Sequence, residues 1–232
     1  CKKRLSPYRS SLSLFNKSYS KINSILDSLE IQKVNGILLD LGLSSFQLDS
    51  KDRGFSYKTN CELDMRFDRS QKKSAFNIVN NMPERMLADL IYHNSEEKRS
   101  RAIARKIISM RPINKVFDLV EAIKKSTPPF KRDKTISRVF QAVRISVNNE
   151  LEKLDHFLST FYPRLLNGGR IVIISFHSLE DRKVKHAFKL LKRENKVQIL
   201  TKKPLIPTEI EIVENSRSRS AKLRAAERKN DG

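Results

Sequence analysis

Two short segments carry residue types suited to a polar ligand. The first is Asp40-Leu41-Gly42-Leu43-Ser44-Ser45-Phe46-Gln47. A carboxylate at a strand end accepts hydrogen bonds from a ligand amine, and glycine lets the backbone approach a ligand closely. The plainer role for Asp40 is to cap the following turn. The second segment is Ser175-Phe176-His177-Ser178-Leu179-Glu180-Asp181. A lone histidine at a strand end is more often a structural hydrogen-bonder than a catalyst, and no Ser-His-Asp geometry follows from it. Two further segments offer arginine. Asp52-Arg53-Gly54-Phe55-Ser56 with Leu63-Asp64-Met65-Arg66-Phe67-Asp68 reads either as an ion-pair network or as arginine presented to phosphate. Asn215-Ser216-Arg217-Ser218-Arg219-Ser220-Ala221-Lys222-Leu223-Arg224 suits phosphate through guanidinium and hydroxyl contacts, and equally suits a solvated basic tail.

The elements that must position these groups follow from hydrophobic spacing. Leu12 to Phe15 is short and apolar, which predicts a strand. Ile22, Ile25, Leu26 and Leu29 have helical spacing. Val34 to Asp40 predicts a buried parallel strand. Residues 50–70 predict a long loop, of the kind that is usually functional or disordered. From 72 to 137 the pattern is helical. Pro83 suits a first turn, Ser95 suits the N-cap of a second helix, and Val116 to Ile123 predicts a third that Pro128-Pro129 ends. Apolar residues from Ile136 to Phe161 step by three or four, predicting one long amphipathic helix or two in series. Asn167-Gly168-Gly169 predicts a turn, Arg170 to Ser175 a strand, and Ser178 the start of a helix with Asp181 as its capping-box partner. The alternation implies an α/β sheet with a helical insert, divided as 1–71, 72–137 and 138–232. Ligands of such sheets bind beyond the carboxyl ends of the strands, where Asp40 and His177 both fall.

The 232 residues suffice for one large domain or a domain with an insert, and 38% hydrophobic residues allow a packed core. Lys+Arg 47 against Asp+Glu 26 leaves a net charge of +21, which favours a polyanionic partner; a Lys-rich genome gives the same excess. Cys1 and Cys61 have no metal-ligand spacing, so a reducing compartment is expected. The longest aliphatic run, Ile171-Val172-Ile173-Ile174, is far short of a membrane span. No signal peptide is read at the start. Lys2-Lys3-Arg4-Leu5 reads as the tail of a helix, as if the chain begins inside a fold.

Taken together, the blocks Gly36-Ile37-Leu38-Leu39-Asp40-Leu41-Gly42-Leu43-Ser44-Ser45-Phe46-Gln47-Leu48-Asp49, Arg53-Gly54-Phe55-Ser56, Leu63-Asp64-Met65-Arg66, Phe140-Gln141-Ala142-Val143-Arg144-Ile145, Asn148-Asn149-Glu150-Leu151, Gly168-Gly169-Arg170, Ser175 to Arg182 and Ser216 to Arg224 resemble, in order and spacing, the bacterial small-subunit ribosomal RNA cytosine-N4 methyltransferases (the RsmH or MraW family). The resemblance covers nearly the whole chain. It implies a class I, Rossmann-like methyltransferase fold with a helical insert domain, S-adenosyl-L-methionine as cofactor, and a cytidine amine of 16S ribosomal RNA in the small subunit as substrate. It implies a cytoplasmic enzyme with no metal, and leaves a homodimer open. By position it implies Tyr19, Asp40, Gly42 and Gln47 for the cofactor. Asp40, Ser44, Ser45, His177 and Ser178 fall to the catalytic pocket. Arg53, Arg66, Arg144, Arg217, Arg219 and Arg224 fall to RNA, with Arg101 and Arg105 added from the insert. The family's glycine-rich cofactor loop and its ribose-binding acid would lie upstream of Cys1. A non-catalytic RNA-binding or assembly factor that has lost the cofactor loop is the alternative. A nucleotide-dependent dehydrogenase ranks lower, because no dinucleotide fingerprint is present.

Overall fold

The computed structural model describes residues 5–230. Cys1 and the expected helix tail at Lys2-Lys3-Arg4 lie outside them. Among the described residues the chain forms α1 (Ile22–Ser28), β1 (Val34–Asp40), α2 (Ser45–Asp49), α3 (Ala75–Asn81), α4 (Glu84–Ser95), α5 (Ser100–Ser109), α6 (Val116–Lys125), α7 (Arg132–Asn148), α8 (Glu150–Thr160), β2 (Leu165–Ser175), α9 (Ser178–Arg193), β3 (Val197–Ile199), α10 (Glu209–Glu214) and β4 (Lys222–Arg228). Two compact units result, residues 1–41 with 152–232, and residues 42–151. No helix is long and apolar enough to cross a membrane among the described residues.

The first unit is a mixed four-stranded sheet of order β1-β2-β4-β3. β1 and β2 are parallel, with Asp40 opposite Ile174. β4 runs antiparallel to both β2 and β3. Ile37, Leu39, Ile171 and Ile173 share one buried cluster with Leu154, Phe157 and Leu158 of α8, Phe161 beyond it, and Val184 and Phe188 of α9. Phe157 and Phe161 stack at 5.6 Å. Burying each such side chain contributes about 1.5–3 kcal/mol, so the helices on this face dominate the unit's stability. β1 is not buried on both faces as expected: Leu38, between Ile37 and Leu39, is 71% exposed. Leu12 to Phe15 forms no strand and is exposed. Asn167-Gly168-Gly169 lies inside β2, where the β1 register slips between Val34 and Gly36, so the expected turn is a bulge.

The second unit packs α3 to α7 around one apolar cluster. It is wider than the 72–137 insert, because Phe55, Leu63 and Met65 of the preceding loop and Val139 to Val147 of α7 join the same core. The expected pair of helices in series is present. Asn149, in the left-handed region at φ 49°, ends α7 before α8 begins, as a small amide side chain allows. Ser95 does not cap a second helix. It is the last residue of α4 and donates to Ile91 O at 2.7 Å.

The long loop of residues 50–70 is tied, together with the residues that follow it, to α7 by hydrogen bonds. Asn148, 1% exposed, accepts from Phe67 N at 2.7 Å and donates to Met65 O at 2.7 Å and Arg144 O at 2.9 Å. Gln71 donates to Val147 O at 3.0 Å and Lys73 to Ser146 O at 2.9 Å. Gly54 is required at its position: its φ is +69°, and a Cβ there would meet Glu62 O at 2.7 Å. These bonds weld the loop to the C-terminal turn of α7. Asn148→Ala would orphan a buried amide and carbonyls, each costing about 1–3 kcal/mol. The expected outcome is a loss of about 3 kcal/mol by urea titration, and a loss under 1 kcal/mol would refute the weld.

Candidate active site

The parallel pairing of β1 and β2 sets the site. Leu41 N donates to Ile174 O at 3.0 Å, so the chain leaves β1 beside the end of β2. Asp40 therefore stands next to the loop Ser175-Phe176-His177-Ser178, as the sequence reading required. The Asp40 carboxylate has no hydrogen-bond or ion-pair partner among the described residues, and partial burial pushes its pKa above the ordinary aspartate value. Asp40 is exposed at the strand tip, and an unpartnered carboxylate there can accept from a ligand that brings hydrogen.

The loop after β2 is held by its own helix. His177, not Ser178, is the N-cap of α9, and its Nδ1 accepts from Glu180 N at 3.4 Å. Glu180 is 3% exposed; one carboxylate oxygen accepts from Phe176 N at 3.0 Å, and the other lies 3.3 Å from His177 Nε2. Asp181 does not close a capping box. It accepts from Arg224 of β4 at 2.6 and 3.2 Å, tying the start of α9 to the sheet. His177 Nδ1 thus shapes the loop, its buried Nε2 has no hydrogen-bond partner among the described residues, and Ser178 is exposed.

A cavity of about 260 Å³ opens beside this loop, lined by Phe176, His177, Ser178, Ile206, Pro207, Ile212, Arg219, Ser220, Ala221 and Lys222. Its far wall is the segment between β3 and β4. Leu205 and Leu223 exchange two backbone bonds at 2.9 Å, Thr208 caps α10, and buried Ser218 donates to Asn215 O at 2.8 Å. The volume lies just below the usual range for ligand pockets and is ample for a single pyrimidine ring. Ile206, Pro207 and Ile212 were not expected at a site, while Ser220 and Lys222 belong to the Ser-Arg segment read as suited to phosphate. The signal was faint: two isolated apolar residues and a proline upstream of the Ser-Arg run.

The remaining expected residues fall in separate places. Tyr19 packs edge-on to Phe157 at 5.8 Å in the first unit. In the second unit Gly42 has φ +89° and turns the chain. Ser44 and Gln47 form a reciprocal cap on α2, with Gln47 Oε1 accepting from Ser44 N at 3.1 Å; Ser45 is exposed.

Four of the six arginines expected at RNA are committed inside the protein. Arg53 donates to Arg66 O and Phe67 O. Arg66 pairs with Asp64 and donates to Arg69 O and Gln71 O. Arg144 grips Glu150 with two bonds of 2.9 Å, and Arg224 grips Asp181. These bonds give the four arginines structural roles within the protein and occupy part of each guanidinium. Arg217 and Arg219 are exposed in the turn before β4.

The MraW methylase family profile matches residues 1–229. The chain belongs to the MraW methylase family. With the family come its methyltransferase activity and its class I α/β fold. Curated relatives agree. The ribosomal RNA small subunit methyltransferase H of Kosmotoga olearia is 50% identical over 97% of this chain and 76% of the relative. Those of Thermosipho africanus and Thermotoga neapolitana are 46% and 48% identical, over 97% and 99% of this chain and 77% and 78% of each relative. The non-catalytic alternative and the dehydrogenase are set aside by this membership.

If His177 acts as a cap, residues that cap well should replace it. His177→Ala should cost about 1 kcal/mol of stability, and His177→Asn should restore both stability and methyl transfer. Restored stability without activity would make the imidazole chemically necessary.

Proposed function

We propose that this methyltransferase acts in the cytoplasm on the exocyclic N4 amine of a cytidine in small-subunit ribosomal RNA, with S-adenosylmethionine as methyl donor. The observation that carries the reading is the partnerless Asp40 carboxylate at the tip of β1, paired with the tip of β2, whose following loop lines a cavity of about 260 Å³. S-adenosylmethionine carries an ammonium and a sulfonium, and an unpaired carboxylate fits a cationic ligand of that kind. When bound, the donor supplies an electrophilic methyl group.

The rest falls to the chain's own residues. A cytosine amine is conjugated with its ring and is a weak nucleophile. Asp40, accepting a hydrogen bond from that amine, draws its lone pair out of conjugation. Ile206, Pro207 and Ile212 form apolar walls against the ring, while Ser178 and Ser220 offer hydroxyls to its edge. Arg219 and Lys222 stand at the same cavity as cations for the target's phosphate. The base leaves its stack to enter, and holding it in line is worth about 7–11 kcal/mol in well-aligned systems.

The pH dependence has a definite sign. The raised pKa means that Asp40 becomes neutral at a higher pH than an ordinary aspartate, and the ionised form is the stronger acceptor for the amine. Methyl transfer should therefore fall as pH drops through that raised value. Asp40→Asn should lower kcat by about 10²–10³, the scale of losing one preorganised polar group, with the thermal midpoint unchanged or higher because an unpartnered, partly desolvated charge is removed. The measurement is labelled methyl transfer to small subunits and to naked RNA, with mass analysis of the nucleosides. A methyl on ring carbon, or full turnover by Asp40→Asn, would overturn the proposal.

A further inference from the structure

The second unit contains a larger cavity that the proposed chemistry leaves unused. Its volume is about 610 Å³, and it is lined by α5, the C-terminal end of α6 and the connection into α7. Six of its lining residues are cations: Arg99, Arg105, Lys106, Lys124, Lys125 and Arg132. No carboxylate lines it. Arg105 and Lys125 have exposed partners, Glu84 at 3.6 Å and Glu121 at 3.5 Å. Lys106 and Lys124 have no acidic partner among the described residues.

Two arginines are oriented by the backbone they hold. Arg99 donates from Nε to Ser126 O at 3.0 Å, and Arg132 donates from Nε to Thr127 O at 3.3 Å. Their terminal guanidinium nitrogens make no bond among the described residues, and each presents a planar pair of donors of the geometry that matches phosphate. An independent observation points the same way. Thr127 is 5% exposed, lines the cavity, and its buried hydroxyl has no partner among the described residues. Buried hydroxyls are ordinarily satisfied, and a buried orphan beneath long cationic side chains is answered when an anion enters and those side chains shift.

We propose that this groove binds the phosphodiester backbone of the substrate RNA, with Lys106, Lys124 and the free edges of Arg99 and Arg132 contacting phosphate and Thr127 donating to a phosphate oxygen. The inference rests on the RNA substrate proposed above and adds where the helical unit grips it. Arg101, expected at RNA from the sequence, does not line the groove. Arg105 does.

The test measures RNA binding apart from methyl transfer. Lys106→Gln with Lys124→Gln should weaken binding of a small-subunit RNA transcript roughly tenfold near physiological salt. It should also flatten the plot of log affinity against log salt by about 1–2, since each phosphate contact contributes about 0.9. KM should rise and kcat at saturating RNA should hold. A control pair on α9, Lys189→Gln with Lys192→Gln, removes the same charge elsewhere. Thr127→Val keeps the shape and removes the hydroxyl, and should weaken binding several-fold without loss of thermal stability. An affinity loss no larger than the control's, or no effect of Thr127→Val, overturns the proposal. So does a groove variant that loses binding of inorganic tripolyphosphate while keeping RNA, because the site then serves a small anion. Absent methyl transfer in the unaltered protein, with groove-dependent RNA binding intact, would instead sink the activity assigned above.

Discussion

The parallel bonding of β1 to β2 is the constraint from which the active site follows. Both strands run the same way and stop at the same level, so the residues leaving them are neighbours. Asp40 opposite Ile174 is the register that results. A slip of one residue would turn every side chain of β1 to the other face. Ile37 and Leu39 would leave the core and Asp40 would point the wrong way. Burial of two aliphatic side chains thus fixes the direction of a carboxylate. Asp40 itself has no partner among the described residues and can be reserved for a ligand.

Hydrogen bonding to the backbone does comparable work in the second unit. Its loop has too few apolar residues to hold itself, with Phe55, Leu63 and Met65 as its core contribution. Arg53, Arg66, Gln71 and Asn148 satisfy its carbonyls and amides instead, and Lys73 reaches across to Ser146 O of α7. Most of these donors act on main-chain oxygens, so they fix the path of the loop whatever side chains flank it.

Where periodicity was strong, the sequence was readable. The helix pair joined at Asn149, the strand ending at Asp40 and the one ending at Ser175 were all legible from apolar spacing. The short run at Leu12 to Phe15 was not a strand, because four residues carry no period. The caps were misread by position. Ser95 and Ser178 are good capping residues beside a helix end, but Glu96 is at φ 54° and His177 already occupies the cap of α9. The site was half legible. Asp40 announces itself at a strand end, whereas the cavity wall from Ile206 to Lys222 exists only because Leu205 bonds across to Leu223, a pairing that leaves no local signature. The arginines were misassigned for a related reason: net charge counts a guanidinium whether it faces water or a carbonyl.

The inward arginines change how sequence variation among relatives should be interpreted. Arg66, Arg144 and Arg224 each use the flat fork of the guanidinium, at several acceptors or bidentately, whereas Arg53 bonds two carbonyls from one nitrogen. At the first three a lysine keeps the charge and cannot make both contacts. Drift from arginine to lysine, harmless on a solvated surface, would lose a contact at the three forked positions. Invariance there records architecture, and the residues that record substrate are to be sought among cations free to change partners.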